Sequence, residues 1–134
     1  MPSTFTRIVE REIPAHILDE DYDFLAFLDV RPIREGHTLV IPKVEVPDVF
    51  DLPKPLLAGL LLFAKPLARA IKAVSGAERV GMAVIALEVP HAHVHLVPID
   101  GVYDIDFRRA TPADDGELAT TAARIRSVIA VEGP

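Results

Sequence analysis

The sequence predicts an α+β domain built on a largely antiparallel sheet. Four short apolar runs, at residues 24–30, 37–42, 80–87 and 91–99, have the length and the Pro/Gly punctuation of strands. Two longer stretches, one after Asp51 and one over 114–131, repeat apolar residues at helical spacing. The links within each strand pair, residues 31–36 and 88–90, are too short for the crossover that parallel strands need.

Residues 24–30, Phe-Leu-Ala-Phe-Leu-Asp-Val, are apolar enough for a buried strand. Arg31-Pro32-Ile33-Arg34-Glu35-Gly36 then makes the turn, and the run from His37 ends at Pro42. Asp51 has the character of a helix N-cap, with Pro53 in the first turn. Leu57, Leu60, Leu61, Ala64, Leu67 and Ile71 follow at i, i+3, i+4, and Pro66 among them should kink the helix or cost it a hydrogen bond. Leu56, Leu62 and Phe63 widen the apolar stripe, which fits either a subunit interface or a helix wedged between sheet and loop. Runs 80–87 and 91–99 should pair antiparallel across Glu88-Val89-Pro90. Leu118, Ala122, Ile125, Val128 and Ile129 mark the C-terminal helix, closed by Gly133-Pro134.

At 134 residues, half of them apolar, the chain has the size of one domain (1–134) and is not disordered. Asp and Glu number 20 against 14 Lys and Arg, a net charge of −6. That sign argues against a nucleic-acid or membrane partner but leaves room for a local anion site on backbone amides and imidazoles. Cysteine is absent, so disulfides, thiolate catalysis and Cys-ligated zinc are excluded. The longest apolar run, residues 56–64, is far below the ~20 residues that span a bilayer. With no apolar core of a signal peptide at the start, a cytoplasmic location is expected.

Three of the five histidines stand in His91-Ala92-His93-Val94-His95-Leu96-Val97. On a strand His91, His93 and His95 share one face, while Ala92, Val94 and Leu96 share the other. Imidazole packs no better than Val or Ile in a sheet, and neighbouring rings repel when protonated, so a row of three points to function. Two chemistries use such a row. One is metal binding. The other is phosphoryl or nucleotidyl transfer, where one imidazole attacks phosphorus and its neighbours serve the phosphate oxygens.

This row resembles the signature of the histidine triad (HIT) superfamily of nucleotide hydrolases and transferases. The resemblance extends to Phe5 through Ala15 with its Ile13-Pro14 pair, to residues 24–30, to Gly36-His37, and to Leu39-Val40-Ile41-Pro42-Lys43, so that residues 5–99 carry it. It implies a HIT-like fold, a sheet of about five strands with two main helices, in a homodimer packed partly through the first long helix. The opening segment would be a short helix ending at Ile13-Pro14. The implied ligand is a purine nucleotide or nucleotide conjugate, with no cofactor and no metal. His93 would attack the α-phosphorus and form a nucleotidyl-histidine that water hydrolyses. His91 and His95 would flank it, one orienting its ring and one contacting phosphate oxygens, and His37 would support it from the neighbouring strand. Asp29 would accept the ribose hydroxyls. Phe5, Ile13 and Phe27 would sandwich the base, and Val30 joins the substrate-binding positions.

Asp29 can also be read as a turn-initiating residue and His37 as a loop histidine, and without the resemblance Phe5, Ile13 and Phe27 read as core residues. His16 has the character of a surface residue and Lys43 of a solvated one. The chain also departs from the family. Where many members carry Cys and His zinc ligands near the start, it has Thr4, Thr6 and Arg7, and Glu45 stands where a histidine commonly follows the Pro-Lys pair. Before the triad, Ala86-Leu87-Glu88-Val89-Pro90 replaces the family's Gly-Gln-Ser/Thr-Val segment, and with it the donors to phosphate and leaving group. Strand parity directs Glu88 away from the histidine face unless Pro90 breaks that parity. The leading expectation is a hydrolase of nucleoside phosphoramidates or dinucleoside polyphosphates. The alternatives are a catalytically weak nucleotide sensor of the same fold and a metalloenzyme joining two alternate histidines with His37. The segment after Asp100, with Tyr103, Phe107, Arg108 and Arg109, leaves open whether it closes over a partner subunit's pocket.

Overall fold

A computed structural model describes residues 1–132; the closing Gly133-Pro134 lies outside them. The elements are α1 (Thr4–Val9), β1 (Ile17–Glu20), β2 (Phe24–Leu28), β3 (Thr38–Pro42), α2 (Lys54–Ser75), β4 (Arg79–Ala83), β5 (Val94–Ile99) and α3 (Asp115–Glu132). The five strands form one sheet in the order β1-β2-β3-β5-β4, antiparallel at every step.

Period-two alternation sorts the side chains of β2, β3 and β5 between two cores. Phe24, Ala26, Leu28, Val40, Val94 and Leu96 face α2 and α3, where they meet Leu60, Ala64, Leu67, Ile71, Leu118 and Ile125. Leu25, Phe27, Leu39 and Ile41 face the other way, toward Phe5 and Ile8 of α1. The pairings Phe27↔Leu39 and Leu39↔His95 set one rung across the sheet, which brings His95 onto the α1 side. β2 and β3 are covered on both faces, which is why they are apolar throughout.

Several boundaries differ from the sequence expectation. β1 was not foreseen, because its four residues include Asp19 and Glu20 and give no alternating signal. The run at 80–87 leaves the sheet after Ala83, and β5 begins at Val94 instead of His91. Residues between these strands form an open loop in which Ala86 sits at φ 51°. Asp51 is not the helix cap. It ends a 3₁₀ turn, Val49–Asp51, whose own cap is Asp48; α2 starts after Pro53, with Pro55 in its first turn. α2 runs unbroken through Pro66 to Gly76, which closes it in the left-handed conformation at φ 71°. α1 stops at Val9, ahead of Ile13-Pro14. Gly36, at φ +100°, turns the chain into β3 and aims His37 inward; an added Cβ would stand 3.4 Å from Pro98 and 3.5 Å from Ile71.

Candidate active site

The sheet face under α1 opens into a cleft of about 490 Å³. Phe5, Leu39, His93 and His95 form its floor and residues 85–89 a wall, and Asp29, Arg31, Phe107 and Ala110 complete the lining. His91 and His37 are buried just behind this lining.

Only His95 belongs to a regular strand, yet all three triad rings lie on one side. The Phe5 ring meets His93 edge-on at 4.9 Å and His91 at 5.9 Å, and His93 meets His95 at 4.8 Å. Ahead of β5 the chain is held by Ala92, whose amide donates to the Val46 carbonyl at 2.7 Å.

Hydrogen bonds to main-chain atoms fix where each ring keeps its proton. The His93 Nδ1 lies 2.7 Å from the His91 carbonyl, an acceptor only, so Nδ1 carries the proton and Nε2 the lone pair. The His91 Nε2 donates to the Pro42 carbonyl at 2.7 Å, which leaves its Nδ1 to accept the Ser3 hydroxyl at 2.8 Å. The Ile33 amide donates to His37 Nδ1 at 3.0 Å. His37 therefore holds its proton on Nε2 and donates it to His95 Nδ1 at 2.9 Å. Neutral His95 in turn keeps an N–H at Nε2.

Burial keeps these rings neutral. Desolvation lowers the pKa of His37 to about 4, and that of His95 to about 4 with help from neighbouring His93 and His37. His91 and His93 are lowered by burial too, against the opposing pull of their carbonyl acceptors. Asp29 is pushed up by burial, opposed by the Arg31 amide, which donates to its Oδ1 at 2.9 Å. Rings that bind fewer protons folded than unfolded lend stability that is present above pH 6.5 and lost as pH falls through that value toward about 4. Asp29 works in the opposite sense at lower pH. Thermal melts should therefore be level at neutral pH and fall steadily below pH 6.5; a melting temperature unchanged down to pH 4.5 would contradict neutral, buried rings.

Of the residues expected to bind substrate, Phe5 and Asp29 line the cleft. Phe27 lies one layer beneath, its ring 5.5 Å from Phe5, and Ile13 packs into the apolar cluster below. Val30 is exposed outside the lining, its carbonyl accepting the Ala113 amide. Glu88 lines the cleft, because residues 84–93 are not a strand and parity has no hold on them. His16 is only partly exposed and bonds Asp115 at 2.8 Å, and Lys43 pairs with Glu20 at 2.8 Å.

Sequence reasoning raised Phe107 only as part of a segment that could close over a partner subunit's pocket and missed its place in its own chain, where its ring sits 4.7 Å from His95 and 6.3 Å from His37. It also missed Arg31, the one cation of the lining, read there as part of a turn. An aromatic in the segment after Asp100 was the available signal for the first; nothing local marked the second.

Asp29, His37 and His95 bring ligand atoms within 4.8 Å of one another. The two rings already satisfy each other, since the His37 Nε2 proton lies between them, and Asp29 Oδ2 stands 3.6 Å from the same nitrogen, beyond hydrogen-bond distance. An ion there would have to displace that proton.

A HIT domain family model matches residues 10–102. Over 103 residues the chain is 38% identical to an uncharacterized HIT-like protein of Mycobacterium tuberculosis, covering 73% of this chain and 72% of that one. It is 39% identical over 95 residues to an adenosine 5'-monophosphoramidase of Saccharomyces cerevisiae, covering 70% of this chain and 60% of the yeast protein. Among solved structures, a HIT-like protein of Bartonella henselae superposes with a TM-score of 0.83 at 26% identity, covering 94% of this chain and 95% of that one. A zinc-bound histidine triad family protein of Mycobacterium smegmatis superposes at 0.81 with 31% identity, covering 96% and 93%.

Zinc does not suit the groups this chain brings together at its start. Ser3 and Thr6 offer neutral hydroxyls, the Nδ1 of His91 already accepts from Ser3, and one Glu45 oxygen takes two donors. No buried side-chain polar atom among the described residues lacks a partner that an ion would supply.

Proposed function

We propose, for a chain that belongs to the histidine triad (HIT) family, that it hydrolyses or transfers a nucleotide through attack by His93 on the α-phosphorus. The observation that carries this is the 2.7 Å bond from His93 Nδ1 to the His91 carbonyl, which leaves Nε2 unprotonated on a ring lining a cleft. In the first step a bond forms between Nε2 and phosphorus and the bond to the leaving group breaks. Water then attacks the nucleotidyl-histidine, releasing a mononucleotide and the free ring. The Nε2 proton of His95 serves the phosphate oxygens or the departing group, and Arg31 offsets phosphate charge. Phe5, Leu39 and the apolar residues of the 85–89 wall hold the base, with Asp29 on the ribose. Ile13, Phe27 and Val30 act, if at all, from outside the lining.

The yeast relative's name supports a phosphoramidate as substrate, and a dinucleoside polyphosphate fits the same attack. Residues 1–134 as one domain, a cytoplasmic location and a homodimer belong to the same reading. No helix of the described residues is long and apolar enough to cross a membrane. The dimer is supported by Leu61 and Leu62, exposed on α2, and by Met82, exposed on the edge strand β4.

A second reading, a catalytically weak nucleotide sensor, is favoured by Glu88 on the cleft wall, where a carboxylate repels phosphate. The test is incubation with an adenosine phosphoramidate, product followed by chromatography, beside calorimetric titration with AMP and light scattering for the dimer. AMP released over many turnovers supports the hydrolase. Binding without product supports the sensor, and neither binding nor product removes both.

A further inference from the structure

Around the first triad histidine lies a polar cluster drawn from three distant parts of the chain. The Ser3 amide donates to Glu45 Oε1 at 2.6 Å, and the Thr6 hydroxyl donates to the same oxygen at 2.7 Å. With its own proton committed there, Thr6 leaves Ser3 as the donor to His91 Nδ1, at 2.8 Å. The Thr6 amide donates to the Ser3 hydroxyl oxygen at 3.0 Å, and so closes the N-cap of α1. These donors hold the Glu45 carboxyl well below its ordinary range, at about 2, so it is an acceptor throughout neutral pH. Proton directions run without conflict from Glu45 through Thr6 and Ser3 to His91. From there the Nε2 proton goes to Pro42 O, and the His91 carbonyl takes the proton of His93.

We propose that Glu45, Thr6 and Ser3 form a metal-free clamp that positions the nucleophile through His91. The clamp holds two things at once. It fixes the His91 ring in a single tautomer, and it docks α1 so that Phe5 stays against the His93 ring. Hydroxyl and carboxylate groups hold the surroundings of the His91 Nδ1 with hydrogen bonds alone. Ser3, Thr6 and Glu45 are positioning residues, since none of them lines the cleft. The inference rests on His93 as the attacking group, but its test does not depend on turnover alone.

That test is long-range ¹H–¹⁵N correlation spectroscopy of the histidine rings, with steady-state kinetics beside it, on the wild type, Ser3→Ala, Ser3→Thr, Glu45→Gln and Glu45→Ala. The wild type should give His91 protonated at Nε2 alone and His93 at Nδ1 alone. Ser3→Ala and Glu45→Ala should mix the His91 tautomers and lower kcat about 10–100-fold, the order that a small misplacement of a reacting group costs. KM should change much less. Ser3→Thr keeps the hydroxyl and Glu45→Gln keeps an acceptor oxygen, so both should restore the spectra and most of kcat. Metal analysis of untagged wild type should find no stoichiometric zinc, and chelator should leave activity intact. Wild-type tautomers other than these would overturn the clamp, as would unchanged spectra and kcat in both alanine variants, or chelator-sensitive activity with one zinc per chain. If turnover is absent in every protein, the spectra still decide the clamp, and the nucleophile reading fails separately.

Discussion

Replacing His93 with alanine lowers kcat by about 10⁴-fold or more, the order expected when a covalent nucleophile is removed. Mononucleotide affinity should survive within a few-fold. No other ring can take over the attack. His91 spends both nitrogens on Pro42 and Ser3, and His37 spends both on Ile33 and His95. His95 has its Nδ1 engaged and its Nε2 protonated. The alanine leaves space on the cleft floor without disturbing Asp29 or Arg31, so the contacts proposed for ribose and phosphate persist. Because burial lowers the His93 pKa, the acid limb of the wild-type pH profile should fall below pH 6.5. The check is kcat beside calorimetric titration of both proteins with AMP. Turnover within tenfold of wild type would remove His93 as the nucleophile.

His37→Ala should damage both stability and rate. His37 is fully buried and bonds at both nitrogens, so its loss strands the Ile33 amide and His95 Nδ1 together. One buried and one part-buried group without partners, at about 1–3 kcal/mol each, predict a loss of about 2–6 kcal/mol. Without that donor, His95 can place its proton on either nitrogen and its ring loses one of its fixed neighbours, so kcat should fall about 10²-fold. Urea unfolding and steady-state rates read the two effects separately. A destabilised variant with normal kcat would make His37 a core residue with no part in orienting His95.

The site was legible where its residues are close in sequence. Alternation over His91, His93 and His95 anticipated that the rings gather on one side, although only His95 stands in β5, and the break at Pro42 ended β3 as expected. His37 and Asp29 sit at the ends of strands whose apolar character was plain, and antiparallel pairing brought them beside His95. What escaped were contacts between distant residues with no local pattern. Ser3 and His91 are 88 positions apart, and Thr6 and Glu45 are 39 apart; Ser3, Thr6 and Glu45 have the character of ordinary cap or surface residues. Phe107 reaches His95 from a short 3₁₀ turn, where periodicity says nothing about direction. Glu88 was misdirected because an apolar run was extended four residues too far, from Ala83 to Leu87. Val84, Ile85 and Leu87 are exposed on the loop, so their apolarity did not report burial in the sheet.

Apart from the Ser3 hydroxyl on His91 Nδ1, the proton map of the triad ends on the backbone at Pro42 O, His91 O and the Ile33 amide. Side-chain replacement at those three positions cannot delete a carbonyl, and only proline at position 33 could delete an amide. The orientation of the reactive ring is thus tied to the path of the chain, while side chains of the 85–89 wall take no part in these bonds. Replacing side chains of that wall would change which ligand fits the cleft without moving the proton on His93.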